Sequence, residues 1–244
     1  MAQEMVVFSV DFDQEDNKPL IRRYVVLGLP TTVVLEQDGS EVGRIMGYRG
    51  KADWLRRLNS IRTKPDPIPH LEAKLRSGKG GSAAVLQLGE LLLGRGKIAR
   101  AMALLERLQW APKTKTAHRA RALFLMGRYY HRVRQAPKMA RHLWRELATR
   151  FPKSDYSAGA RWWYAKAEAE TGQKALGCFV LRRAAEKKGA RATPALHWAA
   201  FVNKHEMKEE RKAVAMLLKR RRKKAPKKTK KKIDEMLKTL AGAK

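Results

Sequence analysis

The apolar residues of this chain follow two different patterns. Up to about residue 62 they form short runs separated by turn residues, which predicts β-strands within residues 6–10, 24–35 and 42–46. From His70 onward the apolar residues recur with a helical period and the strand pattern disappears. The sequence therefore predicts a multidomain chain, with a small α/β part followed by an all-α part.

The second apolar run contains the most informative residues of the α/β part. Gly28-Leu29-Pro30-Thr31 opens an apolar strand, and Asp38-Gly39 predicts the hairpin turn that leads to the strand at residues 42–46. Proline removes one donor from a strand ladder, so Pro30 belongs at the first residue of its strand or at a sheet edge.

Residues 5–62 resemble the second half of a thioredoxin-like domain. Tyr-x-Val-x-Gly-x-Pro-Thr, Asp-Gly and Gly-Tyr all fall in register together, beginning at Tyr24. The resemblance implies a central strand at residues 6–11, a short helix at 19–24, a hairpin at 33–35 and 42–46, and a last helix at 51–61. It also implies a cis peptide bond between Leu29 and Pro30, and an unpaired backbone edge at Leu29, Pro30 and Thr31 that grips an extended peptide.

One departure from that family matters as much as the match. Thioredoxin-like enzymes carry a Cys-x-x-Cys pair at a helix N-terminus, which lowers the pKa of the first thiol, and the second thiol resolves the mixed disulfide. The single cysteine here is Cys178, far outside the thioredoxin-like region. No catalytic residue is assigned, and we expect no dithiol–disulfide exchange by the chain as written.

The composition further limits the cofactors, metals and locations that can be expected for this chain. One cysteine excludes an internal disulfide framework and a cysteine-based zinc site, and the six histidines lack metal-ligand spacing, so no metal and no cofactor is expected. No apolar run approaches the roughly 18 residues of a membrane span. Residues 1–13 do not resemble a signal peptide, so we expect a soluble, cytoplasmic chain as written, or a periplasmic one if a leader precedes it.

Charge is distributed unevenly along the chain. The net charge is +31, but residues 1–64 hold ten Lys or Arg against nine Asp or Glu, whereas residues 65–244 hold 44 against 14. Three prolines within residues 63–69 bar a continuous helix and predict a stiff linker there. The predicted divisions are a partial thioredoxin-like domain at 1–62, the linker at 63–69, helical repeats at 70–222 and a Lys-rich tail at 223–244.

The helical part shows internal self-similarity. Gly89, Gly127 and Ala165 are spaced by 38 residues each, and apolar residues recur at similar offsets around them. Small residues at these positions would let two helices approach closely, as in tetratricopeptide repeats, which this region resembles. The alternative is an ordinary helical bundle with an accidental period.

A cationic run lies near the end of the chain. Eleven of the fourteen residues from 219 to 232 are Lys or Arg, so we expect the run to repel itself and fray, apart from a short terminal helix restarted near Ile233. The run is interpreted either as a solvated terminus or as a non-specific, salt-sensitive contact for a polyanion, without aromatic residues to stack on bases. Its predicted contact residues are Lys219, Arg220, Arg221, Arg222, Lys223, Lys224, Lys227, Lys228, Lys230, Lys231 and Lys232.

These features favour a protein-interaction scaffold, in which a redox-inactive thioredoxin-like module precedes a cationic repeat groove for a protein or an acidic peptide. The alternative is a thiol–disulfide oxidoreductase or redox chaperone whose Cys-x-x-Cys half lies outside this chain. A weaker alternative is a basic factor that associates with nucleic acid or ribosomes.

Overall fold

The computed structural model describes residues 6–187 and 189–242, so the first five residues of the predicted thioredoxin-like domain lie outside the described part. Contacts divide the chain into two compact units, Met1–Gln135 and Ala136–Lys244. The division falls within the predicted repeat region.

The N-terminal unit contains the hairpin that the sequence predicts. Strand β1 (Thr31–Leu35) pairs antiparallel with β2 (Glu41–Met46), with Thr31 opposite Met46 and an irregularity after Val34. Gly39 adopts a φ of +78° in the turn, a conformation that glycine tolerates best. The Asp38 carboxylate accepts a hydrogen bond from the backbone N–H of Ser40 at 2.7 Å.

Two helices accompany the hairpin. Helix α1 (Lys18–Arg23) precedes β1, and α2 (Lys51–Thr63) follows β2. A Cβ at Gly43 of β2 would lie 2.7 Å from the Ile61 side chain, so only glycine permits this close packing against α2. The predicted hairpin and both predicted helices are present, with bounds shifted by one or two residues.

The predicted strand at residues 6–10 is wrong. This segment has no regular secondary structure, and the side chains of Val6, Val7 and Phe8 are 93%, 85% and 85% exposed. A strand requires a neighbour to receive its backbone hydrogen bonds. Among the described residues, β1 and β2 pair only with each other, so the segment at residues 6–10 forms no strand pairing.

The remainder of the N-terminal unit is helical. Its helices are α3 (Pro67–Arg76), α4 (Ser82–Gly94), α5 (Ile98–Trp110) and α6 (Thr116–Arg128), and a π-helical turn follows at Tyr129–Val133. The helix break at the proline-rich segment spans only residues 64–66, because Asp66 caps α3 and Pro67 occupies its first turn. The crossing of α4 and α5 is close, since a Cβ at Gly89 would lie 3.0 Å from Leu105.

The C-terminal unit consists of helices among its described residues, and consecutive helices pack against one another. They are α7 (Pro137–Arg150), α8 (Ser157–Glu170), α9 (Lys174–Glu186), α10 (Ala192–Lys204), α11 (Lys208–Lys223) and α12 (Lys227–Gly242). Trp144, Trp198 and Phe201 are almost fully buried in this unit. Large aromatic side chains thus supply much of its apolar core.

The expectation that the cationic run frays is also wrong. It forms the end of α11 and the beginning of α12, separated by a three-residue turn. Ile233 and Leu240 of α12 are buried in a core cluster with Val214 and Leu218 of α11. This apolar burial outweighs the mutual repulsion of the lysines, which spread their charges along two helices.

Candidate binding sites

The predicted peptide-gripping loop lies at the surface of the N-terminal unit. The Leu29–Pro30 peptide bond is cis, as predicted, and the side chain of Leu29 is 56% exposed. The Thr31 hydroxyl donates a hydrogen bond to the carbonyl of Gly28 at 2.6 Å, and the Pro30 carbonyl accepts one from Gly47 at 2.8 Å. The structure therefore presents Leu29, Pro30 and Thr31 together in an ordered turn.

An arginine holds the segment before this loop. The Nε of Arg128, in α6, donates to the Leu27 carbonyl. Burial, together with the nearby charges of Arg132 and Arg121, lowers the pKa of Arg128 to about 9. A poorly solvated cationic side chain thus lies against the segment before the Pro30 loop.

A cleft in the N-terminal unit has balanced charges. It encloses about 600 Å³ beside β2, α2 and α4, and its lining includes four cationic and four acidic residues. Arg44 binds Glu41 at 2.8 Å and donates to the carbonyl of Gly94 at 2.6 Å. Arg95 donates to the carbonyl of Val42 at 2.9 Å and pairs with Asp66 at 3.2 Å. These arginines hold the hairpin against the helices of the same unit.

A second cleft, in the C-terminal unit, has a different composition. It encloses about 810 Å³ between parts of α7, α8, α9 and the loop before α10, a volume suited to several ligand side chains. Among the described residues, Asp155 is the single carboxylate in its lining. The cationic lining residues of this basic cleft are Arg145, Lys153, Arg161, Arg183, Lys187 and Arg191.

The electrostatics of the basic cleft favour an anionic ligand. Burial lowers the pKa of Arg161, which means that its charge is poorly solvated. Phe179 is 57% exposed in the same lining, and the Arg183 guanidinium lies 6.0 Å from its ring. The cleft thus combines positive charge with an exposed aromatic face.

Sequence reasoning missed the individual residues of this cleft. They belong to segments spread over residues 145–194 and form no local motif. The sequence showed an excess of cations in the predicted helical array. This excess predicted a basic groove but not its position.

The predicted polyanion-binding residues divide into two groups. Arg221 donates to the carbonyls of Ala185 and Lys187, and Arg222 forms a two-point ion pair with Asp234 at 2.6 and 3.0 Å. Lys230 is half-buried. The other eight are exposed on α11, on α12 and in the turn between them: Lys219, Arg220, Lys223, Lys224, Lys227, Lys228, Lys231 and Lys232.

Cys178 does not resemble a redox thiol. It is 3% exposed in the core of the C-terminal unit, and burial raises its pKa, so the reactive thiolate is disfavoured. Among the residues that the structure describes, no cluster of His, Cys, Asp or Glu could hold a metal ion. None of the described helices is both long and apolar enough to span a membrane.

Comparison with known proteins gives one partial match. The chain is 36% identical over 58 residues to a thioredoxin from Mycolicibacterium smegmatis, which covers 24% of this chain. The chain spans about half (51%) of that thioredoxin's length. No protein-family profile and no solved structure matches the chain. Together with the hairpin and its helices, the match supports a thioredoxin-like part beside a mostly helical remainder.

Proposed function

We propose that this chain is a protein-interaction scaffold that binds an acidic segment of a partner protein in the basic cleft. The observation that carries the proposal is the lining of this cleft, with six cationic residues against one described carboxylate. Glutamate- or aspartate-rich segments supply the complementary charge, and Phe179 offers a surface for an apolar residue of the ligand.

The packing of the helices supports the hypothesis that the helical array is tetratricopeptide-like. A Cβ at Gly177 of α9 would lie 2.6 Å from the carbonyl oxygen of Ala165, so these helices approach closely at a small residue. Gly89, which corresponds to Ala165 in the proposed period, lies at the crossing of α4 and α5, where a Cβ would be 3.7 Å from the carbonyl oxygen of Ala101. Close crossings at matching points of the proposed period are typical of stacked helical repeats, which commonly bind extended peptides.

The thioredoxin-like part contributes a second contact in this proposal. The exposed side chain of Leu29, with Pro30 and Thr31 beside it, offers a small apolar surface next to the unpaired edge of β1. An extended peptide could add to that edge by backbone hydrogen bonds. The buried Cys178 supports a binding role over thiol chemistry for the chain as it stands.

The test measures binding of a labelled ten-residue polyglutamate peptide to the full chain by fluorescence anisotropy. Arg183→Gln/Arg191→Gln removes two charges from the basic cleft and should weaken binding by about tenfold, since exposed ion pairs contribute up to about 1 kcal/mol each. Lys204→Gln/Lys208→Gln removes two exposed charges from elsewhere in the same unit and should have little effect. Equal weakening by both variants would refute the assignment of the cleft.

A further inference from the structure

The end of the chain is a folded structure that presents charge. Helices α11 and α12 pack through Val214, Leu218, Ile233 and Leu240, each at most 6% exposed. The Arg222–Asp234 ion pair joins the two helices. We call residues 208–242 the basic hairpin.

The cations of the basic hairpin are held on this frame with few acidic neighbours. Nine Lys and Arg residues between 219 and 232 are exposed, eight of them in addition to the ion-paired Arg222, and no Asp or Glu occurs in that interval. Asp234 is engaged by Arg222, which lowers its pKa. The next acidic residue, Glu235, follows the cationic interval and is exposed. A dense, pre-organised positive surface therefore covers the turn and the two adjoining helix ends.

We propose that the basic hairpin binds the phosphate backbone of duplex nucleic acid without regard to sequence, a second binding function beyond the proposed scaffold. Duplex DNA carries one charge per roughly 1.7 Å of its axis, whereas an extended acidic peptide carries at most one per roughly 3.3 Å. The denser polyanion is the better complement to eight cations within fourteen residues.

The apolar face of α12 distinguishes nucleic acid from a membrane surface. A helix that lies in a lipid interface inserts its apolar face among the acyl chains. In α12 that face is already occupied, because Ile233 and Leu240 are buried in the protein core and Met236 and Leu237 pack against it. Helix α12 therefore exposes positive charge but little apolar surface that could insert into a membrane.

The composition of the hairpin also determines the mode of binding. Residues 208–242 contain no Phe, Trp or Tyr, so bases cannot stack on aromatic rings of this element. Contacts would be ionic and made to phosphates, which gives strong salt dependence and no sequence preference.

The experiment titrates a labelled 20-base-pair DNA duplex of arbitrary sequence with the full chain at several salt concentrations. The unmodified chain should bind with a steep negative slope of log K against log salt. Lys223→Gln/Lys224→Gln/Lys227→Gln/Lys228→Gln should weaken binding more than tenfold and reduce the steepness of the slope by about 3. The matched control, Lys113→Gln/Lys138→Gln/Lys174→Gln/Lys204→Gln, removes the same charge from exposed positions outside the basic hairpin.

The nucleic-acid proposal and the scaffold proposal can fail independently of each other. A shallow salt slope for the unmodified chain, or equal losses in the two quadruple variants, would overturn the nucleic-acid proposal whatever the peptide result. Tighter binding to vesicles containing phosphatidylserine than to the duplex would overturn it in favour of a membrane. The Arg183→Gln/Arg191→Gln variant should bind the duplex nearly normally. If the basic cleft does not bind the peptide, the nucleic-acid proposal is therefore unaffected.

Discussion

The two clefts of this protein place their arginines in different electrostatic surroundings. In the N-terminal unit, four cationic lining residues face four acidic ones, and Arg44 and Arg95 are engaged by carboxylates and backbone carbonyls. In the C-terminal unit, six cationic lining residues share the cleft with Asp155. In a cleft with balanced charges the cations have partners within the fold, and losing one of them is costly, whereas a cleft with excess positive charge is suited to an anionic ligand.

The difference extends to the whole of each unit. Residues 136–244 contain 30 Lys or Arg against ten Asp or Glu, while residues 1–135 contain 24 against 13. A count of cations therefore indicates where a polyanion would be attracted. The count does not distinguish structural arginines from arginines suited to bind a ligand. That distinction requires knowing which groups each arginine contacts in the structure.

The largest expected effect comes from removing a structural arginine. The side chains of Arg44 and Glu41 are 9% and 7% exposed, so Arg44→Ala leaves a buried carboxylate without its main partner. The free energy of unfolding should fall by about 3–5 kcal/mol. Arg183→Ala, in the basic cleft, should change it by less than about 0.5 kcal/mol. Urea unfolding of both variants provides the measurement, and similar losses would erase the distinction between the clefts.

A smaller effect tests the close helix crossing in the C-terminal unit. In Gly177→Ala the new Cβ would meet the Ala165 carbonyl oxygen at 2.6 Å and the Phe201 ring at 2.9 Å. The expected cost is about 1–3 kcal/mol of stability. Gly159→Ala, in α8, meets nothing within 4 Å and should stabilise the chain by up to about 1 kcal/mol. Thermal melts that shift in the same direction would contradict the proposed crossing.

The smallest expected effect is a pH dependence that belongs to the C-terminal unit. Burial lowers the pKa of His197, which lies 5.4 Å from the Trp162 ring, and burial also lowers the pKa of His205. The unfolded chain then binds protons more readily, so the free energy of unfolding falls as pH decreases below about 6.5.

The double variant His197→Asn/His205→Asn should lose less stability than the unmodified chain between pH 7.5 and pH 5. The measurement is the urea midpoint at both pH values. An unchanged or larger loss in the variant would show that these histidines are not responsible for it.

Local sequence signals predicted the parts of the fold that local chemistry determines. Gly28-Leu29-Pro30-Thr31 and Asp38-Gly39 specified the hairpin because each turn depends on a few adjacent residues. The strand at residues 6–10 was predicted wrongly because a strand also needs a neighbour, which its own sequence does not reveal. The helical end of the chain was missed for a similar reason, since Ile233 is buried through contacts with residues about twenty positions earlier.

The candidate sites follow the same division. The residues of the Pro30 loop are adjacent in sequence, and the structure presents them together. The basic cleft assembles side chains from several segments, so the excess of charge predicted its character but not its position.

The most direct test of the comparison between the clefts is an NMR titration of the full chain with the polyglutamate peptide, observing the arginine Nε–Hε signals. We predict that the signals of Arg183 and Arg191 shift on binding. The signals of Arg44 and Arg95 should not shift, because these side chains are already paired with carboxylates of the same unit. Shifts at Arg44 and Arg95 with none at Arg183 and Arg191 would contradict the account.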